Sequence, residues 1–184
     1  IDKIAIAANS VASNIYLVVK SGAMGASGAA SVMIGNGVGT GDYEAVKRDA
    51  VKLQIFFVCI GVVCGIILYV IRLPILSVYN LSEKTREMAN SFLVVLSFIM
   101  VGMSYQMAAG GGIIRGGGNA TFVVKMDLVC IWMIVIPLSL FMAFVVQAPP
   151  VIVVVCLNAD QIFKCIPIFI KVNKGTWIKK LTNV

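Results

Sequence analysis

Residues 53–70 read LQIFFVCIGVVCGIILYV, eighteen positions without a charge. The hydrocarbon core of a bilayer is about 30 Å thick, and a helix that crosses it needs about 20 mostly apolar residues. Apolar and polar residues do not alternate along the run, as they would in a half-buried strand. Only helices and closed barrels satisfy their backbone groups in lipid. The stretch therefore reads as part of a membrane-spanning helix over roughly residues 47–71.

The rest of the chain repeats this pattern. Of its 184 residues, 60% are apolar and 12% charged, with a mean hydropathy of +0.99. Soluble domains run near 45–50% apolar and about 25% charged. Further spans are expected over roughly 5–34, 84–110, 120–146 and 151–172. The fold class is thus all-α, a polytopic membrane bundle of five transmembrane helices, with no linker long enough to mark a second domain.

Punctuation sets the boundaries. Gly35-Asn36-Gly37-Val38-Gly39-Thr40-Gly41-Asp42 predicts a loop by its glycine content, with Asp42 capping the second helix and Glu44 in its first turn. Arg72, Pro74 and the polar run Asn80 to Arg86 end that helix, and Ser82 caps the third. Six glycines in Gly110 to Gly118 predict a turn, and Gln147-Ala148-Pro149-Pro150 predicts the next. Within the first span, Gly22, Ala26 and Ala30 recur every four residues, the pattern of a close helix–helix contact in lipid. Pro137 lies inside the fourth span and favours a kink.

Charge gives the orientation. Ten of the fifteen Lys and Arg residues lie after the first span, between the third and fourth, or at or after the end of the fifth, four lie on the other side, and Lys20 falls midway along a span. Cationic loops stay in the cytoplasm, so these three segments, including the C-terminus, are expected there. The N-terminus is then external. An external N-terminus that begins at Ile1 without a signal peptide leads to the expectation that at least one span precedes it.

The net charge of +7 is accounted for by this topology signal and by anionic lipid, not by a nucleic acid. Cys59, Cys64, Cys130, Cys156 and Cys165 all lie in spans without paired zinc spacing and read as small apolar residues. The chain has no histidine, which excludes His-ligated metals and Ser-His-Asp catalysis. No nucleophile–base pair points to an enzyme. Gly35 to Gly39 lacks the preceding strand of a dinucleotide loop and the Lys-Ser/Thr pair of a P-loop.

The candidate functional residues are polar groups at membrane depth. A charge within a span costs about 2.5–3.5 kcal/mol on insertion scales and so faces protein or water. Lys20, midway along the first span, and Asp127, early in the fourth, are such charges; Asp127 also reads as a tether for the loop around Arg115. Asp160 and Lys164 form an i, i+4 pair, read as an intrahelical salt bridge. Tyr105 and Gln106, among Met103, Ser104 and Met107, offer polar groups beside soft side chains that accept varied shapes. Asn9, Ser10, Ser13 and Asn14 share one face of the first span, and Asn14 could line the same cavity.

These residues carry a family resemblance over nearly the whole chain. Ala7-Ala8-Asn9-Ser10-Val11 through Gly28-Ala29-Ala30-Ser31-Val32-Met33-Ile34-Gly35-Asn36-Gly37-Val38-Gly39-Thr40-Gly41-Asp42, with Ala45 and Ala50, resembles the start of one half of a multidrug and toxic compound extrusion (MATE) transporter. Ile113 to Thr121, Asp127 and Ile136-Pro137-Leu138 resemble the family's tenth loop and eleventh helix. Asp160 to Lys164 and Lys174 to Lys179 resemble its last helix and exit. The resemblance makes the five spans helices eight to twelve of twelve, in the C-terminal lobe, with the N-terminal lobe and the seventh helix as partners.

The resemblance implies a secondary active antiporter of the cytoplasmic membrane. Such a protein exports xenobiotics or organic cations as Na⁺ or H⁺ enters, by alternating access about a central cavity, and needs no bound cofactor. Some members place a carboxylate near the position of Ser104 or Tyr105, and this chain has none there. Asp127 is accordingly the ion-coupling candidate, and Asn14, Lys20, Tyr105 and Gln106 the substrate-cavity candidates. The alternatives are a lipid-linked oligosaccharide flippase of the same superfamily, which a more basic cavity would favour, and a non-transporting membrane scaffold subunit.

Overall fold

The computed structural model describes residues 3–79 and 81–179. Five helices long and apolar enough to cross a membrane account for most of them: Lys3–Thr40, Tyr43–Val78, Glu83–Ile114, Ala120–Val145 and Pro150–Asn173. The described residues contain no strand. The third helix is the most buried of the five and packs against the first, second and fifth. The fourth lies at the edge and leaves Trp132, Met133 and Phe144 exposed.

The first helix does not end in a glycine loop at Gly35. It runs 38 residues to Thr40, about 57 Å at 1.5 Å per residue, and stops where Gly41 takes φ +81°. Glycine in a helix costs up to about 1 kcal/mol relative to alanine, and packing outweighs that here. A methyl on Gly37 would lie 2.7 Å from Val46 Cγ2, so the missing side chain lets the second helix approach. Asp42 caps that helix as the sequence predicts, accepting the Ala45 N–H at 3.0 Å.

The second helix also outruns its predicted end. Arg72 does not break it, because its guanidinium finds partners locally. Nε donates to Asn90 Oδ1 at 2.9 Å, Nη1 to the Tyr69 carbonyl at 2.8 Å, and the group stacks 3.6 Å from the centre of the Tyr69 ring. Pro74 sits in the last turns, and the helix continues to Val78. The buried stripe Ala50, Gln54, Phe57, Gly61, Gly65, Leu68 faces the bundle. Gly61 and Gly65 form a GxxxG contact that the sequence reading did not single out. Methyls there would come 2.9 Å from Val101 Cα and 2.7 Å from the Ser97 carbonyl oxygen.

The glycine cluster after the third span is likewise not a turn along its whole length. The helix widens into π-helical turns over Ala108–Ile114, and the chain turns only at Gly117 and Gly118, where Gly118 has φ +89°. These glycines receive the first helix. Methyls on Gly112 and Gly116 would meet Ala30 Cβ at 2.9 Å and the Ser31 carbonyl oxygen at 2.7 Å, and Ser27 Oγ donates to the Met107 carbonyl at 3.1 Å. First and third helices therefore run parallel, with Ser27 against Met107, Ala30 against Gly112 and Ser31 against Gly116.

Of the predicted small-residue stripe of the first helix, Ala30 is buried and Ala26 packs against the core, whereas Gly22 lies off the contact. Ala23, Ser27, Ala30 and Ile34 are buried, whereas Gly22, Gly25 and Gly28 have no atom within 4 Å of where a methyl would stand. Sequence spacing registers a small-residue face but not which of two adjacent faces meets a neighbour.

The fourth helix carries Pro137 between two π-helical stretches, Ile131–Val135 and Phe141–Val145. Proline cannot donate to the carbonyl one turn back, and wider turns absorb the disruption.

The fifth span is not one continuous helix. It is built of Pro150–Leu157, Asp160–Phe163 and Cys165–Asn173. Asn158 turns its Nδ2 onto the Val154 carbonyl at 2.9 Å, a local bond that competes with the helical ladder. Pro167, nine residues on, offers no N–H to the Phe163 carbonyl.

Beyond Asn173, Gly175 adopts φ +65° and folds the chain back. Trp177 is fully buried over Gly117 and donates Nε1–H to the Val172 carbonyl at 2.9 Å. The Lys179 N–H reaches the Gly117 carbonyl at 2.9 Å. Lys180, within the predicted basic tail, lies outside the described residues.

Candidate transport cavity

A cavity of about 690 Å³ opens among the first, third, fourth and fifth helices. That is within the roughly 300–1,000 Å³ range of small-molecule sites. Its walls carry five charged side chains, Lys20, Arg115, Asp127, Asp160 and Lys164, together with Gln106, Gln161 and the methionines Met24, Met103 and Met107.

Breaks in the fifth helix set the central charges. Asp160 opens the short segment after Asn158, and an acidic residue is favoured at such a start. Lys164 lies one turn later, and its Nζ reaches Asp160 Oδ2 at 2.7 Å and Asp127 Oδ1 of the fourth helix at 2.9 Å. The expected pair within one helix is therefore three-membered, and Asp127 tethers the fourth helix to the fifth, not to the loop around Arg115. Gln106 Nε2 donates to Gln161 Oε1 at 2.7 Å, and Gln161 Nε2 to Asp160 Oδ2 at 3.5 Å. One polar chain thus links third, fifth and fourth helices at membrane depth.

Burial within the chain is graded. The side chains of Lys164 and Asp160 are 5% and 9% exposed, whereas Asp127 is 43% exposed. The inner pair is closed off, and the outer carboxylate faces the cavity. That arrangement leaves Asp127 able to meet a solute or ion while its partner stays fixed.

Of the predicted cavity residues, Lys20, Gln106 and Asp127 line this one space. Tyr105 does not. Its O–H donates to Gln54 Oε1 at 2.7 Å, and Asn173 Nδ2 donates to the same oxygen at 3.4 Å. Tyr105 and Gln54 border a separate apolar cleft of about 530 Å³ with Val58, Val101, Cys165 and Phe169. Asn14 is exposed and is absent from the cavity wall. The sequence reading missed Gln54 and Gln161. Gln54 carried a usable signal, an amide in an otherwise apolar run.

The sequence profile of the MatE family matches residues 1–141. Protein DETOXIFICATION 34 of Arabidopsis thaliana is 27% identical over 121 residues, which cover 66% of this chain and 22% of that relative. The chain thus matches a little over a fifth of the relative's length. No solved structure matches the chain.

Proposed function

Because the chain belongs to the MatE family, whose members are transporters, we propose that it forms five helices, eight to twelve, of the C-terminal lobe of a secondary active antiporter. In this reading the lobe packs against a seventh helix and an N-terminal lobe in a cytoplasmic membrane, with the C-terminus inside. It exports small amphipathic molecules as Na⁺ or H⁺ enters.

One observation carries the reading: a buried ion pair at membrane depth whose third member, Asp127, faces a cavity of ligand size. Ionisable residues inside a membrane mark ion and substrate pathways. A proton or Na⁺ taken up by Asp127 weakens its 2.9 Å bond to Lys164, while Lys164 remains neutralised by Asp160. The fourth helix is then freed from the fifth and can pivot at the wide turns flanking Pro137. A ligand drives such a change only by binding one state better than the other, and the half-exposed carboxylate supplies that difference.

The test is gradient-driven efflux of a fluorescent amphipathic solute from cells that carry the full-length gene, comparing native protein with Asp127→Asn. Loss of gradient dependence in the variant is the expected result. Undiminished coupling would move the ion site out of this lobe. No efflux from the native protein would favour the scaffold reading.

A further inference from the structure

Lys20 and Arg115 are the charges lining the cavity that the coupling scheme does not use. Lys164 is engaged by two carboxylates. Asp160 is closed off and takes both Lys164 and Gln161. Among the described residues, the side chains of Lys20 and Arg115 have no hydrogen-bond or ion-pair partner, yet both line the cavity.

The register of the first and third helices separates these two cations. Gly116, next to Arg115, rests on Ser31, eleven residues beyond Lys20, or about 16 Å at 1.5 Å per residue. Arg115 therefore stands at one end of the space. Counting back from Ser27 against Met107 places Lys20 level with Met100 to Met103. Gln161 packs against Gly102 at the same depth, where a methyl on the glycine would be 3.2 Å from the Gln161 carbonyl oxygen. Lys20 and the Asp127–Lys164–Asp160 group thus share one level of one cavity, with an unpaired ammonium on the first helix and a half-open carboxylate on the fourth.

We propose that the cavity seats a small amphipathic zwitterion, with Lys20 binding its anionic group, Asp127 its ammonium, and Met24, Met103 and Met107 its apolar body. The inference rests on the reading of Asp127 as the coupling carboxylate and extends it to the substrate. A permanent cation would meet Lys20 unshielded and a simple anion would meet the carboxylate of Asp127, so a ligand with both charges is the complementary one. The arrangement also agrees with exchange. A proton on Asp127 removes the attraction for the ammonium group while the hold at Lys20 persists, so ion entry loosens one end of the ligand. The expected preference departs from the organic cations that the family resemblance implies.

Three matched probes test this on the full-length protein in nanodiscs: naphthylalanine, its methyl ester, which lacks the negative charge, and its N-acetyl derivative, which lacks the positive one. The expected result is tightest binding of naphthylalanine. Lys20→Gln should weaken that binding about tenfold or more, the scale of a hydrogen bond to a charged group, while the methyl ester, relieved of repulsion by Lys20, binds more tightly, and Lys20→Arg should restore the native preference. Equal or tighter binding of the methyl ester by the native protein overturns the proposal, and so does a Lys20→Gln variant that binds naphthylalanine as before.

The same protein in vesicles separates this from the transport reading. Gradient-driven movement of the ester without a zwitterion preference would leave the antiporter and remove the Lys20 seat. The binding preference without gradient-driven movement of any probe would do the reverse. Nanodiscs with and without phosphatidylethanolamine identify the source of the zwitterion. Competition by this lipid would assign the seat to its headgroup, and its absence to a free solute, with the charge chemistry retained in both cases.

Discussion

Replacing Lys164 by Met should be among the most damaging single changes in the chain. The methionine keeps most of the side-chain volume and removes only the ammonium. Its two partners then lose their counter-charge unequally. Asp160 is 9% exposed, so its carboxylate is left almost wholly buried, whereas Asp127 is 43% exposed and shares its charge with the cavity. Stranding one partner of a buried ion pair costs about 3–5 kcal/mol, and that figure applies to Asp160. The half-exposed Asp127 adds no more than about 1 kcal/mol, the range of solvent-screened pairs. Lys164→Met alone should therefore destabilise by about 3–5 kcal/mol, whereas Lys164→Met with Asp160→Asn should recover a large part of the loss, since no charge is then stranded in the interior. Asp127→Asn added to Lys164→Met should recover little. Reversible unfolding of the full-length protein in mixed detergent micelles, run as a double-mutant cycle, measures both couplings. Strict additivity of Lys164→Met and Asp160→Asn would refute the reasoning, as would a larger rescue by Asp127→Asn than by Asp160→Asn.

Other outcomes follow from the packing. Gly65→Leu forces its side chain against the Ser97 carbonyl, and overpacking of about 1–3 kcal/mol or more should show as a lower thermal midpoint in detergent. Gly22→Ala, with open space around it, should be neutral or stabilising by up to about 1 kcal/mol in the same assay. Trp177→Ala empties a fully buried site and should cost about 3–5 kcal/mol, with faster proteolysis of the segment after Asn173 as the direct readout.

The membrane character and the number of spans were legible because both rest on length and composition, which no neighbour alters. The N-caps at Asp42 and Ser82 were legible for the same local reason, each being held by a backbone N–H three residues on. The glycine-rich segments were misread because a glycine serves equally to turn a chain and to admit a neighbouring helix. Gly37, Gly112 and Gly116 do the second, and within those two segments Gly41 and Gly118 stand in the left-handed region as turns. The break in the fifth helix could be anticipated from Asn158 and Pro167 but is masked by the apolar runs on either side, residues 151–157 and 165–170. In the cavity, Lys20, Gln106 and Asp127 are charged or polar at membrane depth and betray themselves singly. The bond between Asp127 and Lys164 spans thirty-seven residues of sequence, and Tyr105 of the third helix turns to Gln54 of the second, so neither pairing has a local signature.

Gly111, Gly112 and Gly116 of the third helix meet Ser27, Ala30 and Ser31 of the first and offer no side-chain teeth of their own. Interlocked leucines define a register, and moving them by one residue means lifting each knob from its hole. Backbone against small residues defines it more weakly, and here the Ser27 hydrogen bond to the Met107 carbonyl helps to set it. Trp177, set over Gly117 and bonded back to Val172, ties the end of that face to the last helix. A shift of Gly117 along the first helix would therefore press on Trp177 and be felt by the last helix.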